Sequence, residues 1–159
     1  MNVENLQIPL TELRLRKYGS RWQVFDIFRK KFVIVTPEEW VRQQLLHYMV
    51  NSLGFQAGLI KVESLVEVNG LKQRTDAVVY NQLLKPILLI ECKRPSVMLT
   101  QSTFDQAARY NTKLKIPCLL ISNGLKHVFA HINFNENTFT YLPDIPSFEM
   151  IQTQVLGEI

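Results

Sequence analysis

The sequence has no apolar run near the ~20 residues that a bilayer-spanning helix requires, so no membrane partner is expected. Its opening, MNVENLQIPL, carries neither a basic n-region, an apolar h-region nor a small-residue cleavage site, and a cytoplasmic location is the expectation. Cysteine is scarce: Cys92 and Cys118 each sit inside an apolar run, with no Cys-x-x-Cys and no histidine pair nearby. Buried, reduced thiols are expected ahead of the alternative, a disulfide or zinc site. The three histidines, His47, His127 and His131, have no ligand spacing and read as structural. Repeats, low-complexity tracts and linker-like runs are lacking too. So is a glycine-rich phosphate loop of the Walker type, which excludes a nucleotide-driven motor within these 159 residues.

What remains is an ordinary globular composition, 47% hydrophobic and 20% charged, over a length suited to one domain, 1–159. The net charge of +4 is compatible with a polyanionic partner but does not require one.

Along the chain, LRLRKYGSRWQVFDIF alternates apolar and basic residues around Gly19-Ser20, which predicts a hairpin, and KKFVIV (residues 30–35) predicts a short strand. The pattern changes at Thr36. Thr36 is an N-cap candidate, Pro37 suits the first helical position, Glu38 and Glu39 complement the helix dipole, and Gly54 follows the end. Val41, Leu45 and Met49 share one face of that helix. Then LIKVESLVEV, Asn69-Gly70 and LKQRTDAVVY predict a second hairpin, with PILLIEC as a further strand. A second helix is predicted within LTQSTFDQAARYNTKLK, packing through Phe104, Ala107, Ala108 and Leu114. IPCLLISNGLKHVFAHI predicts strand, Asn-Gly turn and strand, and the tail a strand end, two proline breaks and a short helix. The expected architecture is α/β: a central mixed β-sheet flanked by helices, with an N-terminal β extension over 1–35, a core over 36–133 and a tail over 134–159.

Chemistry concentrates at the end of PILLIECKRP, where an apolar strand runs into Glu91, Lys93 and Arg94. Residues i and i+2 share a strand face, so Glu91 and Lys93 point together and Cys92 points away. Asp76, in RTDAVV, is expected in the neighbouring strand, where pairing would bring it to Glu91. Converging carboxylates repel, and a divalent cation removes the conflict. A lysine alongside could orient or deprotonate water, or stabilise charge on phosphate, which together are the parts of phosphodiester hydrolysis.

Asp76, fourteen intervening residues, then Glu91-Cys92-Lys93 resembles the D…E-x-K signature of the PD-(D/E)xK nuclease superfamily. More narrowly, TPEEWVRQQLLHYMVNSLGF, RTDAVVY, LLIECKRP, DQAARYN and LLISNGLKH are similar to the N-terminal nuclease domain of type I restriction enzyme R subunits, over roughly residues 35–130. The resemblance implies a restriction-endonuclease-like fold and a DNA endonuclease using Mg²⁺, with Mn²⁺ as substitute. Asp76 and Glu91 would bind the cation and Lys93 would serve the nucleophilic water. Such nucleases often carry an acid on the first helix. Glu38, three and seven residues before Val41 and Leu45, is preferred to Glu39 as the one on the inward face. Gln106 and Tyr110 match the family's Gln-x-x-x-Tyr element, implying support for DNA contact and the site. The resemblance further implies DNA as partner, with helicase or motor, specificity and methylase subunits of a restriction complex. Thr75 stands where the superfamily often has proline, and the absent Walker loop leaves either a free-standing nuclease-like domain or a fragment.

Blander readings stand beside these. Glu91–Lys93 as an exposed ion pair would contribute little, and Glu38 and Glu39 suit a first helical turn for dipole reasons alone. Arg74 and Arg94 flank the site and could hold phosphates or simply reach water. Trp22, Phe25, Phe28 and Phe32, among basic residues, are expected to pack on the β structure rather than stack on bases. The alternative function is a non-catalytic nucleic-acid-binding or assembly module with the nuclease fold.

Overall fold

The computed structural model describes residues 5–68 and 70–157. Strands β1 (Leu15–Tyr18), β2 (Arg21–Asp26) and β3 (Lys31–Ile34) form an antiparallel three-stranded sheet, with Gly19-Ser20 as the two-residue turn between the first two. Helix α1 (Pro37–Ser52) follows, capped by Thr36, whose Oγ1 accepts the Glu39 N–H at 3.0 Å. Gly54, at φ 74°, takes the left-handed position after its last turn.

Next come β4 (Ile60–Val62), β5 (Leu65–Val68), β6 (Leu71–Arg74), β7 (Ala77–Tyr80) and β8 (Pro86–Cys92). Helix α2 (Gln101–Leu114) carries the chain to β9 (Cys118–Ser122), β10 (His127–Asn133) and β11 (Thr138–Leu142). The main sheet has six strands in the order β11-β10-β9-β8-β7-β4. Only β8 and β9 run parallel, and a parallel pair needs a crossover, which α2 supplies.

The strand pleat decides which helix covers which side chain. On β8, Leu88 and Ile90 join Val79 and Leu120 in packing with Val41, Leu45 and Met49 of α1. Leu89 between them joins Val78 and Ile121 in packing with Phe104, Ala107 and Leu114 of α2. The apolar faces expected of both helices are thus the buried ones.

The second hairpin departs from expectation. Each predicted arm is broken, so that β4 and β7 belong to the main sheet while β5 and β6 form a separate two-stranded ribbon. The break falls where Glu63 adopts φ 44°, a left-handed conformation uncommon outside glycine. Across it the arms stay joined, Glu63 N–H to Asp76 O at 2.9 Å and Thr75 N–H to Ser64 O at 3.2 Å. Asp76 therefore occupies a bend just ahead of β7 rather than a strand interior. Gly70 takes the positive φ expected of this turn, whereas Asn69 lies outside the described residues.

The tail is built into the same body. β11 pairs with β10 at the sheet edge, Pro143 and Pro146 break the chain, and α3 (Phe148–Met150) runs into a wider helical turn over Ile151–Val155. Phe148 meets Phe55 edge-on at 5.5 Å. Near the N-terminus Leu6 packs on Gly124, which adopts φ 80° and where a Cβ would come within 2.6 Å of Leu6 Cδ2, so a side chain there would be strained and would displace Leu6. No helix among the described residues is long and apolar enough to cross a membrane.

Candidate active site

The β7–β8 register pairs Ala77 with Ile90, which sets Asp76 beside Glu91 one step further. Asp76 is held there by the β8 backbone, its Oδ2 accepting the Cys92 N–H at 2.8 Å. Glu91 shares the Leu89 side of the strand, facing α2, and Lys93 Nζ donates to Glu91 Oε1 at 2.9 Å. Cys92 turns the other way and is buried, as is Cys118, and both thiols are free. Asp76, Glu91 and Lys93 thus meet, although β7 begins just past Asp76 and does not include it.

They open into a cavity of about 290 Å³ that Arg74, Gln106 and Tyr110 also line. Gln106 and Tyr110 sit one turn apart on α2, and the Tyr110 hydroxyl donates to the Arg74 carbonyl, tying the helix to the end of β6. The Arg74 side chain is largely exposed and reaches Glu63 at 3.6 Å. Arg94 is not brought to the cavity: it is exposed, in a turn closed by the Val97 N–H on its carbonyl at 3.0 Å.

The site is electrostatically unbalanced toward protonation or cation binding. Burial, reinforced by the Asp76 charge, raises the Glu91 pKa above its ordinary value, and Lys93 only partly offsets this. Lys93 is itself held above its ordinary value: burial works against its charge, but the hydrogen bond and charge of Glu91 outweigh that, with Asp76 and Glu38 adding. Tyr110 is raised by burial first, then by Glu91 and Asp76.

The sequence reasoning missed a second group of charges behind this cavity. Arg42, 3% exposed on α1, places Nη1 2.7 Å from Glu39 Oε2 and 3.1 Å from Glu63 Oε1, and Nη2 3.4 Å from Asp76 Oδ1. Arg29, from the β2–β3 turn, binds Glu39 at 2.5 Å and Glu63 at 2.8 Å and also pairs with buried Asp26. Glu39 accepts from Gln43 Nε2 at 2.8 Å as well. The assignment of Glu38 to the inward face is corrected accordingly. Glu39 is the buried acid, because two arginines converge on it from either side, while the Glu38 side chain is 45% exposed and 3.7 Å from Arg42. Glu38 is nevertheless the acid whose charge bears on Glu91 and Lys93. An arginine three and four residues after two acids, inside an otherwise apolar helix face, was the readable signal for Arg42. Glu63 had none.

The donor set fits a hard cation. No group of three or more His, Cys, Asp or Glu side chains stands together as a metal cage among the described residues. Two carboxylates beside a cavity with room for water match Mg²⁺, which keeps several waters and takes one or two protein carboxylates. Asp76 and Glu91 would hold it.

A mixed sheet between helices, with acids meeting at the ends of two adjacent strands, defines the restriction-endonuclease-like α/β class. Residues 37–146 match the family model of the type I restriction enzyme R protein N terminus (HSDR_N), and the chain belongs to that family. Its fold is similar to that of a fragment assigned to an HsdR subunit of a type I restriction enzyme from Vibrio vulnificus YJ016, with a TM-score of 0.54 and 16% identity. That alignment covers 76% of this chain and 25% of the other, so the match spans about a quarter of that fragment's length. No curated protein sequence matches significantly.

Proposed function

We propose that the chain is a Mg²⁺-dependent DNA endonuclease domain of restriction type, with Mn²⁺ as a substitute ion. The observation that carries this is the meeting of Asp76, Glu91 and Lys93 at one cavity, with Lys93 2.9 Å from Glu91. When bound, the cation would polarise the phosphodiester and lower the pKa of a coordinated water. Asp76, fixed by the Cys92 N–H, and Glu91 hold the ion. Lys93 positions the attacking water or stabilises charge developing on the phosphate. Gln106 and Tyr110 form the wall against which DNA rests, and Arg74 contacts its backbone. Glu38 contributes negative charge at the rim, and Arg94 has no place in this reading. Within a restriction complex, a helicase or motor, a specificity subunit and a methylase would be the partners.

One observation favours the second reading, a non-catalytic nucleic-acid-binding or assembly module. Arg42 and Lys93 already contact Asp76 and Glu91, so the acids are partly balanced without a metal. Conversion of supercoiled plasmid with Mg²⁺ or Mn²⁺, by the wild type, Asp76→Ala and Lys93→Ala, decides between them. Nicking by the wild type that both variants lose supports the nuclease. Equal nicking by all three rules it out, and DNA binding without nicking in any of them selects the module.

A further inference from the structure

The basic excess of the chain is not spread evenly. Residues 14–35 carry seven Lys or Arg and one acid, a net +6 against +4 for the whole chain, so the remainder is net negative. The acid, Asp26, is buried on the inner side of the three-stranded sheet, with its Oδ1 accepting the N–H groups of Phe28 and Arg29 at 2.7 and 2.8 Å.

The sheet register sorts the remaining groups. Leu15, Val24 and Val33 pair across the strands, and Val24 is fully buried, which identifies the inner face. The opposite face carries the rows Arg16–Gln23–Ile34, Phe25–Phe32 and Tyr18–Arg21. Arg14 extends the second row, its carbonyl accepting the Phe25 N–H at 2.9 Å. Arg14, Arg16, Tyr18 and Arg21 are exposed there, and the face bears no acid. The Arg16 guanidinium lies 3.7 Å from the centroid of the Phe32 ring, and Arg14 lies 5.5 Å from Phe25 and 5.4 Å from Phe32. Aromatic rings thus support the arginines from below, as expected of β-surface packing. Arg16 Nε also donates to Gln23 Oε1 at 2.7 Å. Arg14, Arg16 and Arg21 are in no ion pair among the described residues.

For Arg14 and Arg16 the nearby rings restrict the guanidinium, so less freedom is lost on binding, and the guanidinium fork matches a phosphate. Unpaired arginines gathered on an open sheet face complement a chain of phosphates more closely than a single small anion. The face also leads toward the candidate active site. A second cavity, of about 420 Å³, is lined by Phe32 and Ile34 of this sheet together with Arg29 and Arg42 and the acids Glu38, Glu39 and Glu63 that pair with these arginines. Arg42 in turn touches Asp76 at 3.4 Å.

We infer that the outer face of the N-terminal sheet binds the phosphodiester backbone of DNA through Arg14, Arg16 and Arg21, holding a substrate whose scissile bond lies at the carboxylate cavity. The identity of the polymer rests on the function proposed above, but the surface lies outside residues 37–146 that match the family model.

The test is fluorescence anisotropy of the full chain with a labelled duplex in EDTA, over a range of salt concentrations. The proteins are the wild type, a triple Arg14/Arg16/Arg21→Gln variant and the corresponding triple Arg→Lys variant. The Gln variant should bind roughly tenfold or more weakly, with a salt slope shallower by about 0.9 for each phosphate no longer neutralised. The Lys variant, which keeps the charge, should stay near the wild type in slope. Equal affinity and slope in the wild type and the Gln variant would overturn the inference, as would absence of wild-type binding at low salt. Equal wild-type affinity for polyglutamate would overturn the assignment to nucleic acid. Because EDTA stops metal-dependent cleavage, a failed nicking assay counts against the nuclease alone, and wild-type binding that the Gln variant keeps counts against this surface alone.

Discussion

Arg42 stands between two groups of charge that differ in one respect. Behind it, Asp26, Arg29, Glu39 and Glu63 bind one another so that every acid has an arginine at hydrogen-bond distance, although Arg29, Glu39 and Glu63 also line the cavity of about 420 Å³. In front, Asp76, Glu91 and Lys93 border a cavity, and Glu91 is raised by burial and by Asp76 with only Lys93 to offset them. Charge in which every acid is matched by arginine serves the fold. Charge left incompletely compensated beside open space is where an external cation or phosphate can enter.

The largest effect is expected at the open group. Lys93→Ala should lower the cleavage rate roughly 10²–10³-fold, within the range for loss of one charge-stabilising donor, while thermal stability stays near the wild type. An equal loss of stability would mean that the open group is structural after all. Next in size is the arginine-matched group: Arg42→Ala leaves Glu39 buried without one of its partners and should cost about 3–5 kcal/mol in chemical denaturation. A loss below about 1 kcal/mol would show that Arg29 alone suffices, and the two groups would then be less distinct than described.

A pH series sharpens the same contrast near α1. Burial lowers the His47 pKa below its ordinary 6.5, with Asp26 opposing, and the ring stacks edge-on to Phe28 at 5.9 Å. The unfolded chain therefore takes up a proton before the folded chain does. Stability is fully present above about 6.5 and is lost as pH falls through the lowered folded value. His47→Gln should flatten that part of the profile, and an unchanged slope would remove His47 from the account. The smallest effect is a control. The Lys72–Glu67 pair, 3.6 Å apart and exposed, should change stability by no more than about 0.5 kcal/mol when Lys72 becomes Ala. A larger change would weaken the use of burial to rank these charges.

Much of this was legible because it is local. Thr36 and Pro37 start a helix for reasons contained in four residues, and the alternation Leu88, Leu89, Ile90 fixes which helix meets which side of β8. Asp76, Glu91 and Lys93 could be found because strand period and strand pairing bring them together. The break at Glu63 could not, since a left-handed glutamate carries no compositional mark. Placing Glu38 on the buried face missed Glu39 as the buried acid because helical spacing knows nothing of Arg29, which arrives from the β2–β3 turn ten residues earlier. Arg94 follows the site in sequence but is exposed after β8 and does not line the cavity.

The central claim is that Asp76 and Glu91 form a cation site. Calorimetric titration of Mg²⁺ and Mn²⁺ into the wild type and Asp76→Ala tests it directly. Saturable binding of either ion in the wild type, lost in the variant, is the predicted result; equal heats in both proteins, or none in either, would contradict it.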